Sequence, residues 1–263
     1  AVGSGSPHLP CMVHVSYRPK TGKAPIALVG KGVTFDTGGP DMKTSAFMRL
    51  MKKDMGGAAS CVGAALALVE QKSKQSFDMY IPLAENNVDG HSFVPGDILQ
   101  AKNGKLVEIH NTDAEGRLIL ADGLSYLIKN YNPETVLDIA TLTGSSVATF
   151  GYECGALFSK NDMLLKQLQK AGDVTGERLW PLPLWDVYKS DIESEIADVK
   201  NYSGKPVAGA ISAAKFLEFF TENHVEWAHL DIAGVSFVDD EFAKTKHASA
   251  FGVHLITNFI ENL

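Results

Sequence analysis

Asp113, Glu115 and Arg117 stand at alternate positions in the run NTDAEGRL, Asn111 to Leu118, with Gly116 between the last two. Side chains at i, i+2 and i+4 share one face only where the backbone is extended. Three charged groups on one face make a poor core and a workable site. A second run, KGVTFDTGGPDMKTSAFMRLMKKDMGGAA, adds Lys31, Asp36, Lys43 and Asp54.

Four carboxylates, two lysines and an arginine gathered on adjacent strand ends would repel and desolvate one another unless something compensated. Two divalent cations would balance the carboxylates. Oxygen-rich ligand sets suit Mg²⁺, Mn²⁺ and Zn²⁺, and two ions roughly 3.5–4 Å apart can share a bridging carboxylate and a bridging water. Such a water becomes hydroxide near neutral pH and supplies a nucleophile without a Ser, Cys or His. Beside two dications one lysine could lose its proton and become a nitrogen ligand. Lys43 and Arg117, if held slightly off the ions, would keep their charge and stabilise an oxyanion.

The elements that must carry these residues are legible as periodicities. IALVG after Pro25 reads as a buried strand, and KGVTFDTGGPDMK as a strand opening into a loop. From Ala58, the positions Cys61, Val62, Ala65, Leu66 and Val69 keep the rhythm of a buried helix face. FDMYIPLAEN and LVEIH are strand-like, and NNVDGHSFVPGD is rich in turn residues. Leu120, Leu124, Leu127, Ile128 and Tyr131 form a second helical stripe, ended near NYNP. VLDIATLTGS predicts a strand and a glycine loop, AGAISAAKFLEFF a helix, WAHLDIAG a strand and AFGVHLITNFIENL a terminal helix. Such alternation predicts an α/β fold, a mixed, largely parallel sheet with helices on both faces and the site at its strand ends.

With 263 residues and 45% hydrophobic composition, the chain can bury the core of one domain, or at most two. A net charge of -7 without a Lys/Arg block argues against nucleic acid as partner. No apolar run approaches the roughly 20 residues of a membrane helix. Cys11, Cys61 and Cys154 form no CxxC pattern, so a reducing, cytoplasmic setting is expected. The opening AVGSGSPHLP reads as a linker, or the start of the domain, over residues 1–24, with an upstream segment missing.

VGKGVTFDTGG, Lys43, DMGGAA and above all NTDAEGRLILADGL resemble the leucyl (cytosol-type) aminopeptidase family, two-metal enzymes that remove N-terminal residues from peptides. PGD at Pro95–Asp97, TLTG at Thr141–Gly144, ADVKN at Ala197–Asn201, GAISAAKFL and WAHLDIAG extend the likeness over nearly the whole chain. The resemblance implies an aminopeptidase catalytic-domain fold over residues 25–263. Lys31, Asp36, Asp54 and Glu115 would surround one divalent ion (Zn, Mn or Mg). Asp36, Asp113 and Glu115, with the Asp113 carbonyl, would surround the other. Asp36 and Glu115 would bridge, and a hydroxide between the ions would attack the peptide. Lys43 and Arg117 match the catalytic residues that are not ligands, with bicarbonate at the arginine as base. Met51, Thr141 and Gly144 match substrate-side positions. The resemblance further implies peptide substrates with a free N-terminus, a homohexamer and a separate N-terminal domain absent from this chain.

Simpler readings exist residue by residue. Lys31 alone suits an ordinary ion pair, Asp36 and Asp54 suit a loop and a helix N-cap, and Asp113 and Glu115 suit the positive end of the next helix. Met51 suits core filling, and TLTG a strand-ending turn. These explain each residue but not the group. His110 and His229 lie in strand-like runs where a satisfied buried histidine is ordinary, so neither is assigned to the site. Rival functions are a structural hexameric homologue without useful catalysis and a Cys-Gly-type dipeptidase. DNA binding is disfavoured by the acidic balance.

Overall fold

The structure is a computed structural model describing residues 1–19, 22, 24–224, 226–239 and 246–263. The first elements are β1 (Cys11–Tyr17), β2 (Ile26–Gly30), β3 (Gly32–Asp36), the short α1 (Ser45–Met48), α2 (Gly56–Glu70) and β4 (Phe77–Asn86). Next come β5 (Ile98–Gln100), β6 (Leu106–Glu108), α3 (Gly116–Tyr131), β7 (Thr135–Ala140), α4 (Gly144–Phe150), β8 (Gly155–Phe158) and α5 (Asp162–Thr175). The last are β9 (Leu179–Pro181), β10 (Val199–Lys200), α6 (Gly209–Phe219), β11 (Trp227–Asp231), β12 (Phe237–Val238), β13 (His247–Ala248) and α7 (Val253–Glu261).

The main sheet runs β1-β4-β2-β7-β11-β8-β9, with β3 also paired to β4. The central pairs β4–β2, β2–β7 and β7–β11 are parallel, while β1–β4 and β11–β8 are antiparallel. The α/β expectation holds, and the sheet is mixed and mostly parallel.

Alternation along β2 explains the layering. Ala27 and Val29 face one core with Leu120, Leu124 and Leu127 of α3 and Phe216 of α6. Ile26 and Leu28 face the other with Leu68 of α2, Leu164 and Leu168 of α5, and Leu255 and Ile256 of α7. Burying each such leucine or phenylalanine stabilises the fold by about 1.5–3 kcal/mol. Among the described residues no helix is long and apolar enough to cross a membrane.

Two expectations fail in detail. On α2, Val62, Leu66 and Val69 are exposed, while Gly57, Ala58, Cys61, Ala64, Ala65 and Leu68 are buried. The start of the helix lies too close to the sheet for side chains: a Cβ on Gly57 would sit 2.0 Å from the Ile139 carbonyl oxygen. Small residues make most of the inward face, Leu68 near its end excepted, and Val62, Leu66 and Val69 turn outward. On α3, Tyr131 is exposed whereas the other four stripe residues are buried, because Asn132 ends the helix with φ +42°.

Within residues 1–24, β1 pairs with β4 over seven residues, Cys11 opposite Leu83 through Tyr17 opposite Phe77. Lys20, Thr21 and Lys23 of that segment lie outside the described residues.

Candidate active site

The carboxyl ends of β2, β7 and β11 lie side by side, with Gly30 opposite Ile139 and Ala140 opposite Asp231. Lys31 follows β2 directly. Its N–H donates to the Ile139 carbonyl at 3.0 Å and its carbonyl accepts from Ala58 at the start of α2, at 2.9 Å. Asp36 ends β3, Asp54 follows a short 3-10 turn at Met51–Lys53, Glu115 immediately precedes α3, and Thr141 follows β7. Tight approaches make this possible. A Cβ on Gly116 would meet Lys31 Cε at 2.4 Å, and Gly38 and Gly39 turn the loop after Asp36 with φ of +90° and +63°.

Lys31, Asp36, Asp54 and Glu115 are all buried, between 1% and 4% exposed. Lys31 Nζ donates to Asp54 Oδ1 at 2.9 Å and to the Thr141 carbonyl at 3.0 Å, and lies 2.9 Å from Glu115 Oε1. Thr141 Oγ1 donates to the same Asp54 oxygen at 2.8 Å. Beside this group Lys43 Nζ pairs with Asp36 Oδ2 at 2.8 Å and with Asp113. Asp36 Oδ1 accepts from Asn86 Nδ2 at 2.8 Å and from the Gly38 N–H at 2.9 Å. One oxygen each from Asp36, Asp54 and Glu115 lies within 4.8 Å of the others.

The electrostatics follow from this crowding. Burial raises the Asp54 carboxyl well above the ordinary range; Lys31 opposes that shift, and Glu115 and Asp36 reinforce it. Burial likewise pushes Asp113 up to about 7, against Lys43 and with Asp36 and Glu115. Burial works against the Lys31 and Lys43 ammonium groups, but the surrounding carboxylates outweigh it and hold both above the usual lysine value. Lys31 Nζ lies 2.9 Å from Asp54 Oδ2 as well, and Glu115 Oε2 is buried without a partner. Converging carboxylates, two of them reluctant to ionise and one with an unpartnered buried oxygen, are a donor set that fits divalent cations.

The sequence expectation of an extended backbone across Asp113, Glu115 and Arg117 is wrong. Thr112 and Asp113 form a turn, Glu115 has helical φ and ψ (-78°, -36°), and Arg117 lies in the first turn of α3. The three side chains therefore diverge. Glu115 meets Lys31, Asp113 meets Lys43, and Arg117 Nη1 donates to the Asn201 carbonyl at 2.8 Å. Burial lowers the Arg117 guanidinium to about 10, which leaves it charged at neutral pH, with Glu115 and Asp231 pulling the other way. The N-cap explanation for Asp54 fails, since Met55 holds that position on α2, and Glu115 stands at the start of α3 without a side-chain cap hydrogen bond.

Thr141 is joined to the cluster by a side-chain hydrogen bond, and the Met51 carbonyl accepts from the Asp54 N–H at 3.1 Å. Gly144 begins α4, where a Cβ would find open space. His229 is buried and its Nδ1 bonds Asp138 Oδ1 at 2.5 Å, but His110 is exposed and pairs with Glu108 at 2.8 Å.

Several supporting residues carry no signal in their spacing. Asn86 bonds both Asp36 and the Thr112 carbonyl. Thr112 stitches the two runs together: its N–H donates to Asp41 Oδ2 at 2.7 Å and its hydroxyl to the Gly38 carbonyl at 2.7 Å. Asp231, ending β11, accepts from Leu142 N at 3.1 Å and Thr143 Oγ1 at 2.6 Å and so fixes the TLTG loop.

This arrangement coincides with a known lineage. The model of the cytosol aminopeptidase family, catalytic domain, matches residues 1–257. A probable cytosol aminopeptidase of Chlorobium phaeobacteroides is 45% identical over 262 residues, 99% of this chain and 52% of that protein. The counterpart in Gluconobacter oxydans is 45% identical over 261 residues, again 99% of this chain and 53% of that protein. The chain thus spans about half the length of these relatives. The solved structure of the bottromycin maturation enzyme BotP in complex with Mn superposes with a TM-score of 0.93 at 36% identity, covering 100% of this chain and 58% of that one. The chain belongs to the cytosol aminopeptidase family and carries its catalytic-domain fold.

Proposed function

We propose that this chain is the catalytic part, residues 25–263, of a metal-dependent aminopeptidase that releases N-terminal residues from peptides. The observation that carries the reading is the buried trio Asp36, Asp54 and Glu115, one oxygen of each within 4.8 Å of the others, with Glu115 Oε2 left without a partner. Lys31, Asp36, Asp54, Asp113 and Glu115 would hold two divalent ions, and the Mn complex of BotP, at 36% identity, supports manganese as one candidate beside zinc and magnesium. Such ions supply a low-pKa water as nucleophile and polarise a scissile carbonyl.

The chain's own residues complete the chemistry. The free amino group of a peptide would bind at the ion held near Asp54, so that a blocked N-terminus would bind poorly. Lys43, partly open to solvent beside Asp36, keeps a positive charge where an oxyanion would develop. Arg117, charged and buried, supplies the second cation, and a bicarbonate ion there would serve as base. Met51, Thr141 and Gly144 would line the substrate side. The proposal extends to a homohexamer, a cytoplasmic setting and a separate N-terminal domain in the longer protein, as the family likeness implies.

The test is turnover of leucine amide against N-acetyl-leucine amide before and after chelation. Hydrolysis confined to the free amine, lost with chelator and restored by Mn²⁺, is the expected result. Equal hydrolysis of both amides would refute it.

A further inference from the structure

Asn201 is completely buried in the loop after β10, and its polar groups all engage the segment from Glu108 to Arg117. Its Oδ1 accepts from the N–H groups of His110 at 2.8 Å and Asn111 at 3.3 Å. Its Nδ2 donates to the carbonyls of Asn111 at 2.6 Å and Ala114 at 3.3 Å. Its backbone N–H donates to the Glu108 carbonyl at 3.0 Å, and its own carbonyl accepts from Arg117 Nη1 at 2.8 Å. Only a side-chain amide combines an acceptor with two donors at this size.

The pattern is selective. Asn86 Nδ2 takes the Thr112 carbonyl at 3.1 Å, so two buried asparagines engage the carbonyls of residues 111, 112 and 114. Neither engages the carbonyl of Asp113. The run carries no regular secondary structure before α3, so these bonds set its shape in place of a helix or strand ladder.

We infer that Asn201 is a positioning residue that holds the Asp113–Glu115 backbone and the Arg117 guanidinium in one fixed relation, so that carboxylates and arginine address the same bound peptide. The inference rests on the aminopeptidase reading. Were Asn201 only a stabiliser of the fold, its loss would lower the melting temperature and leave metal affinity and kcat of the folded fraction unchanged.

Asn201→Asp keeps the two acceptor bonds but sets an oxygen against the carbonyls of Asn111 and Ala114. Asn201→Ser adds no charge and serves if the aspartate variant does not fold. Circular dichroism checks folding, calorimetry with Mn²⁺ in the absence of substrate measures metal affinity, and leucine amide kinetics separate kcat from KM. The expected result is a loss of about tenfold to a hundredfold in Mn²⁺ affinity and kcat. In an Arg117→Ala background the same change should cost kcat markedly less, because residues acting as one unit are not additive. A folded variant with Mn²⁺ affinity and kcat equal to those of the parent would overturn the inference alone, as would a fully additive loss with Arg117→Ala. A parent chain that neither binds Mn²⁺ nor hydrolyses the amide would overturn the aminopeptidase reading and this inference with it.

Discussion

Lys31 Nζ pairs with Glu115 Oε1 at 2.9 Å, while Glu115 Oε2 is buried without a partner. The same ammonium donates to Asp54 Oδ1 and the Thr141 carbonyl, so one buried cation serves acceptors from three segments of the chain. Glu115 therefore keeps Oε2 open to another electropositive partner while the lysine limits the local repulsion.

That relation depends on Gly116. A methyl group there would sit 2.4 Å from Lys31 Cε and 2.6 Å from Nζ, and the buried lysine has little room to retreat. Gly116→Ala is expected to lower stability by about 1–3 kcal/mol, as overpacking does, and to weaken Mn²⁺ binding. Urea unfolding and calorimetry check both, and unchanged values would show that Lys31 is not held where it stands.

Lys43 differs from Lys31 in being partly open to solvent and in pairing with Asp36 and Asp113 rather than Asp54. Lys43→Ala should leave divalent metal bound yet reduce kcat by about a hundredfold, the loss typical of one donor to a developing oxyanion. Metal analysis beside steady-state kinetics separates the two. Loss of metal with the lysine would assign it to the ion site instead.

Stability of the metal-free chain should fall as pH rises from about 5 to 7.5. The Asp113 carboxyl, pushed up to about 7, keeps a proton in the fold that the unfolded chain releases near its ordinary value of about 3.9. The folded state thus binds more protons across that interval, and Asp54 shifts in the same direction. Added Mn²⁺ should reverse the slope, since ions favour deprotonated ligands. Urea midpoints with chelator and with Mn²⁺ test this, and a flat profile with chelator would contradict it.

Much of this was legible in the residues. The strand expectation for FDMYIPLAEN matches β4 residue for residue, because a long run bounded by polar turns is decided locally. On α2 periodicity assigns Val62, Leu66 and Val69 to the core, whereas the close approach at Gly57 turns a face of mostly small residues toward the sheet. Asp113, Glu115 and Arg117 were singled out by type, but the extended geometry assumed for them gave way to a turn held by Asn111, Asn86 and Asn201.

The sequence by itself determined which residues are chemically costly to gather and which family pattern they follow, since charge and spacing are properties of the chain. Which carboxylate meets which lysine was decided only in three dimensions. Lys31 and Thr141 are 110 positions apart, and parallel pairing of β2 with β7 brings them to hydrogen-bonding distance. Nothing local encodes the role of Asn201, whose partners lie 84 to 93 positions away and need its amide only once the sheet and α3 have been assembled.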